Sequence, residues 1–290
     1  MTSNTEPAHT PAPRLRPFAQ VDVFSAEPYR GNPLAVVVDA GGLPAGVMQR
    51  FANWTNLSET TFLLPPTDPG ADYRVRIFTG SEEFPFAGHP TLGSAHAWLE
   101  AGGIPRQEGM LVQECGAGLV RVRRDGGRLA FAAPPLTRSG PVAEDDLARI
   151  AAGLRMPREA LLDASWLVNG PEWIGVLLES AERVLAIRPD YAAMAGLKVG
   201  VIGPHPAGSE AGFEVRTFIP GDAAAEDPVT GSFNAGAAQW LIRSGRAPES
   251  YVEAQGTVLG RSGRVHVDAS GDDIWVGGRS VSCIEGFVLL

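Results

Sequence analysis

The sequence predicts an α+β protein of two related halves, each wrapping strands around one apolar helix. Three observations carry this. Segments of alternating apolar and polar residues recur along the chain, as strands with one buried face require. Two apolar stretches, at 91–100 and about 229–244, lack that alternation and read as buried helices. Finally, the landmarks of one half return in the other. Val75-Arg76-Ile77-Phe78 matches Val215-Arg216-Thr217-Phe218, and His89-Pro90-Thr91-Leu92-Gly93-Ser94 matches Asp227-Pro228-Val229-Thr230-Gly231-Ser232, two residues closer in the second copy.

Taken in order, residues 1–16 are rich in Pro, Thr and Ala and read as a flexible tail without the apolar middle of a signal peptide. Residues 18–24 alternate as a strand, and Gly31-Asn32-Pro33 turns into an apolar strand at 34–38. Leu43-Pro44 opens a helix to about 53, with Val47, Met48 and Phe51 as its spaced apolar set. Strands follow at 60–64, closed by Pro65-Pro66, and at 73–78. The apolar helix ends at Gly102-Gly103, before a meander at 110–115, 118–123 and 129–132. Residues 134–141 read as a proline-bounded linker, after which the order repeats. A helix at 145–153, strands at 166–169 and 173–178, a helix at 189–194 and strands at 198–202 and 213–218 lead to the second apolar helix. The expected division is a tail at 1–16, a first half at 17–133 joined by a C-terminal strand at 279–290, and a second half at 134–278.

Composition excludes several classes of function. A net charge of −9 and a pI near 5.1 argue against nucleic acid, whose phosphates call for a basic surface. Arg121, Arg123 and Arg124 fall in an alternating strand pattern and read as a solvated face. No apolar run approaches the roughly 18–20 residues that cross a bilayer, so a cytoplasmic, membrane-free protein is expected. Cys115 and Cys283 cannot build a disulfide framework and lie in no C-x-x-C pair, and the five histidines show no metal-ligand spacing. The single lysine, Lys198, lies in neither a P-loop nor a pyridoxal-type context and reads as a strand-edge surface residue. No metal and no cofactor are expected.

The chemistry is expected where the two apolar helices begin. Each is preceded by Pro with Thr, Gly and Ser, small residues that leave the first backbone N–H groups open to an anion. Plain helix capping explains either copy alone. Two copies facing each other across a cleft would hold a carboxylate between them. His89 and Asp227 stand directly before the two prolines, where each is either a structural residue or a proton donor or acceptor. Glu59, in Ser58-Glu59-Thr60-Thr61-Phe62, lies at the mouth of an apolar strand, where desolvation would raise its pKa toward acid/base range. Glu82-Glu83 and Asp145-Asp146 read as exposed loop or first-turn carboxylates.

These blocks resemble a known family, the PhzF-like proteins of phenazine biosynthesis. Asp22-Val23-Phe24 with Gly31-Asn32-Pro33-Leu34-Ala35-Val36 resembles its opening. Glu59-Thr60-Thr61-Phe62, Gly88-His89-Pro90-Thr91 and Glu226-Asp227-Pro228-Val229-Thr230-Gly231-Ser232 resemble its active-site blocks. Gln255-Gly256, Gly260-Arg261-Ser262-Gly263 and Val276-Gly277-Gly278 resemble its closing segments. The resemblance implies a diaminopimelate-epimerase-like fold with the active site between the halves, no cofactor and a homodimer. It implies Glu59 as the acid/base, with His89, Asp227 and Ser232, beside Gly88, Thr230 and Gly231, lining a pocket for a small carboxylate. In the phenazine pathway that substrate is trans-2,3-dihydro-3-hydroxyanthranilate, isomerised to a ketone. The related epimerases use two opposed cysteines, whose places fall near Ala87 and Asp227 here. Cys115 and Cys283 read as buried strand cysteines instead. The alternatives are a two-base epimerase, which needs those two thiols to meet, and a non-catalytic binding or scaffold protein of the same fold. Phe233, directly after Ser232, either narrows the pocket or packs inside its own half.

Overall fold

The alternating segments form strands that wind twice around an apolar helix. In the computed structural model, which describes residues 12–221 and 225–290, the first winding holds eight strands. They are β1 (Leu15–Val23), β2 (Asn32–Val37), β3 (Thr60–Leu64), β4 (Tyr73–Phe78), β5 (Glu83–Phe84), β6 (Met110–Cys115), β7 (Gly118–Asp125) and β8 (Arg128–Ala132). The second holds β9 (Arg138–Gly140), β10 (Asp163–Val168), β11 (Glu172–Leu177), β12 (Lys198–Pro204), β13 (Phe213–Phe218), β14 (Glu226–Asp227), β15 (Ser250–Gln255), β16 (Gly263–Ser270) and β17 (Asp273–Gly278). A last strand, β18 (Ser280–Leu289), returns to pair with β1 along its whole length. Pairing of β8 with β17 joins the two windings.

Each half encloses a helix, α2 (Gly88–Glu100) in the first and α5 (Gly231–Arg243) in the second, buried on nearly every side. Leu92 and Ala95 of α2 pack against Val21, Leu34, Ile77, Leu111 and Phe131. A helix so enclosed needs no polar face, which is why neither stretch alternates. The strand pairs β2–β3 and β11–β12 run parallel, so the chain must cross over between their members. It does so through α1 (Ala45–Thr55) and, in the second half, α4 (Ala181–Ala186), after α3 (Glu144–Leu154) has covered the outer face.

Three expectations are corrected at their boundaries. The helix expected at 189–194 lies earlier, as α4, because Ser180 caps it by accepting from the Arg183 N–H. Asp190 instead turns the chain by accepting from the backbone of Ala192 and Ala193. The tail expected through residue 16 gives way by Arg14, whose backbone pairs both ways with Leu290, and Leu15 and Arg16 already lie in β1. Residues 1–11 fall outside the described residues. Within the expected linker, Arg138–Gly140 is a strand paired with β10.

Strand register also corrects the match between the halves. Phe78 pairs with Thr60 and Glu83, and Phe218 with Val199 and Glu226. Arg76 and Arg216, two residues before these phenylalanines, each hold that glutamate through two hydrogen bonds and lie 5.0 Å from the phenylalanine ring. Glu83 therefore corresponds to Glu226, Phe84 to Asp227, Gly88 to Gly231 and His89 to Ser232. Matching His89 with Asp227 aligned the prolines but overlooked a three-residue insertion, since loop 219–225 replaces the shorter 79–82. The two Arg–Glu pairs differ in burial. Arg216 and Glu226 are nearly inaccessible, so losing one partner would leave a buried charge at a cost of about 3–5 kcal/mol. The half-exposed Arg76–Glu83 pair contributes at most about 1 kcal/mol.

The same register pairs Tyr73 with Gln113 and Phe213 with Glu253, setting a carboxyl where the first half has an amide. Glu253 is fully buried, and desolvation raises its pKa to about 8 against a smaller opposing pull from the Tyr251 hydroxyl. Between its unfolded pKa of about 4.5 and about 8 the folded chain thus binds the extra proton. Stability is expected to fall as pH rises through that window and to level off above it, by a few kcal/mol at about 1.4 kcal/mol per pKa unit. Glu253→Gln should flatten the profile, raising Tm relative to wild type at pH 8.5 but not at pH 5. Parallel wild-type and variant melting curves across that range would refute the assignment.

Candidate active site

The two central helices meet end to end. A Cβ on Gly231 would lie 2.9 Å from the His89 backbone nitrogen and 3.1 Å from the Gly88 Cα. On Gly88 it would lie 2.7 Å from the Phe131 ring and 3.1 Å from the Gly231 carbonyl carbon. Only glycine allows this approach of backbone to backbone. The N-cap residues, Ala87 and Thr230, make no side-chain cap, so the first N–H groups of both helices remain for other partners. Two positive helix ends in contact repel each other, and an anion between them is stabilised by both.

Glu59 stands at this junction, on the turn between α1 and β3. Asn56 ends α1 in the left-handed region (φ 56°), and the Thr55 and Thr60 hydroxyls bond across the turn at 2.9 Å. β3 is held between β2 and β4 and tied to α2 by the Ser94–Thr61 hydroxyl bond. Glu59 is thus carried by a rigid strand head, with only 16% of its side chain exposed. Its Oε2 lies 3.5 Å from His89 Nδ1. Burial pushes the His89 imidazole down to about 3, against a weaker upward pull from the Pro33 carbonyl. His89 is therefore neutral near pH 7, and its contact with Glu59 is a polar contact rather than an ion pair. His89 Nε2 is buried without a hydrogen-bond partner among the described residues.

Asp227 is held from both sides. Its Oδ1 accepts from Asn32 Nδ2 at 2.9 Å and its Oδ2 from the Thr230 hydroxyl at 2.6 Å. Asn32 also donates to the Val229 carbonyl, so one amide at the head of β2 latches the first half onto the second. Gln255 completes this support, its Oε1 accepting from the Thr230 N–H and from Asn234. Of the expected residues, Glu59 touches His89, Gly88 touches Gly231, and Asp227 bonds Thr230. The Ser232 hydroxyl instead accepts from Trp173 Nε1 at 3.0 Å, and its carbonyl from Asn169. Phe233 packs inside its own half against Gly200 and Trp173. Asn32, Gln255 and Trp173 were not among the expected site residues. The signal for Asn32 was an amide opening an otherwise apolar strand.

Neither thiol belongs to this junction. Cys115 Sγ points to the Gly118 carbonyl and Cys283 Sγ to that of Val281, and both are partly exposed rather than buried. By strand register Ala87 corresponds to Thr230 rather than to Asp227, and none of these three positions carries sulfur. Replacing both cysteines by serine is expected to leave kcat/KM within about twofold. A dead double variant would revive the epimerase reading. Among the described residues no group of three His, Cys, Asp or Glu is placed to hold a metal, and no helix is long and apolar enough to cross a membrane.

A sequence model of the phenazine biosynthesis-like proteins matches residues 21–286. The chain belongs to that family. It is 36% identical to antisense-enhancing sequence 1 of Schizosaccharomyces pombe, over 93% of this chain and 97% of that one. It is 34% identical to trans-2,3-dihydro-3-hydroxyanthranilate isomerase of Pseudomonas aeruginosa, over 92% and 94% respectively. Among solved structures, a PhzF-family protein of Enterococcus faecalis superposes with a TM-score of 0.79 at 26% identity, covering 96% of this chain and all of that one. The architecture is the diaminopimelate-epimerase-like one implied by the motifs, and this PhzF-like chain is an isomerase by kinship.

Proposed function

We propose that this PhzF-like isomerase moves a proton within a small cyclic carboxylate, with Glu59 as the acid/base. The observation that supports it is the convergence of Glu59, neutral His89 and two uncapped helix ends at one junction. In this reading the substrate carboxylate rests on the helix N–H groups around Gly88 and Gly231. Glu59 takes a proton from one ring carbon and returns it to another carbon of the same conjugated system, so a double bond shifts and no atom is lost. The neutral imidazole of His89 steadies the charge that develops between these steps by hydrogen bonding. Asp227, Thr230 and Ser232 hold the second wall in register.

The first substrate to offer is trans-2,3-dihydro-3-hydroxyanthranilate, on which the Pseudomonas aeruginosa relative is named to act. Proton NMR should show its conversion to an isomer. Binding without turnover of this and related cyclic carboxylates would favour the non-catalytic reading. The proposal includes a cytoplasmic homodimer. Supporting the dimer, β18 pairs only with β1 among the described residues and leaves Ile284, Phe287 and Leu289 exposed along an edge strand.

A further inference from the structure

The twofold relation between the halves gives the Glu59 cleft a counterpart, and that counterpart is a cavity. By the pairing of β3 with β4 and of β12 with β13, Thr60 corresponds to Val199 and therefore Glu59 to Lys198. By the pairing of β2 with β3 and β11 with β12, Asn32 corresponds to Pro171. Lys198, Pro171 and Phe84, the equivalents of Glu59, Asn32 and Asp227, all line one cavity of about 410 Å³ between the halves, a volume that accommodates a small organic ligand.

The substitutions explain why it is open. On the Glu59 side, Asn32 draws the halves together by donating to Asp227 and Val229. On the opposite side Pro171 has no N–H or side-chain donor and Phe84 offers no side-chain acceptor, so no equivalent latch forms. The walls are aromatic: Phe84, Phe86 and Trp166 are each only partly buried there, although all three are large apolar side chains. Lys198, expected at a strand edge, is the first residue of β12 and pairs there with Trp173. It opens a strand paired on both sides, is half-buried, and makes no ion pair or side-chain hydrogen bond among the described residues.

We propose that this cavity is a second ligand site, for a planar aromatic carboxylate. Arg138 lies over the Trp166 ring at 3.7 Å, so flat rings stack between its other face and the phenylalanines, and the Lys198 ammonium holds the carboxylate. A lysine where the other cleft has Glu59 gives the site an ammonium to meet an anion. Three glutamates also line the cavity: Glu83 is held by Arg76, and the exposed Glu82 and Glu172 favour ligands that also carry an amine. The inference rests on this cavity alone and stands or falls independently of the reaction assigned to Glu59.

Lys198 is the chain's only lysine, which makes the test specific. Reductive methylation with 13C-formaldehyde keeps the positive charge and yields one dimethyl-lysine resonance, distinct from that of the terminal amine. Titration of the full chain with 2-naphthoate is expected to shift that resonance saturably, and Trp166→Ala to weaken the apparent affinity about tenfold. Calorimetry on unmethylated protein gives the second measurement, with Lys198→Met expected to lose affinity about tenfold or more. A resonance that does not move overturns the proposal, as does equal affinity in wild type and Lys198→Met.

Discussion

Glu59→Gln is expected to lower kcat by about a thousandfold, within the range that general acid/base groups contribute, while ligand affinity stays within a few-fold of wild type. Glutamine keeps the shape of the side chain and its place at the head of β3, so the contact with His89 survives and only proton transfer is lost. Rapid-mixing turnover and equilibrium binding, measured on the same preparation, separate the two effects. A variant that turns over at the wild-type rate would remove Glu59 from the chemistry. One that loses binding and turnover together would make it a binding residue instead.

Gly231→Ala is expected to cut kcat/KM by more than about a hundredfold and to lower Tm, because both effects share one cause. The new methyl would sit 2.9 Å from the His89 backbone nitrogen, and what it meets is main chain on a buried helix, which cannot swing aside. The helix ends must separate, carrying His89 away from Gly231 and spreading the N–H groups that hold the substrate in the proposed reading. Gly46→Ala is the control. On α1 a Cβ there meets only the tip of the Arg50 side chain, 3.7 Å away, so kinetics should be unchanged. If Gly231→Ala behaved like Gly46→Ala, the contact between the helices would have no part in function.

Much of this was legible in the residues because the fold repeats itself. The paired Val-Arg-x-Phe strings mark β4 and β13, and in both the arginine does the same work, gripping a glutamate and lying near a phenylalanine. The strands at 60–64, 73–78 and 213–218 were visible to the residue because their apolar faces are bounded by turns or prolines. The pairing of His89 with Asp227 was not sound. Proline identity is a local signal, whereas correspondence between halves is set by strand register, which an insertion in loop 219–225 shifts without leaving a mark in the motif. The helix placed at 189–194 failed for a related reason: Ser180 and Asp190 decide that segment through side-chain hydrogen bonds. Asn32 escaped notice because its partner, Asp227, lies 195 positions away in the chain.

The return of β18 to β1 has a consequence for the order of events during synthesis. Leu15 pairs with Leu289 and Val23 with Ser280, so β1 waits for a strand made only after β2 to β17. Until residues 280–289 have been made, β1 has β2 on one side and an open row of backbone donors and acceptors on the other. The second half meets no such delay within itself, since β9 precedes β10 and lies beside it. A nascent chain therefore completes its later half before its earlier one, and during that interval the unfinished edge of β1 is the place most open to a chaperone or to another nascent chain.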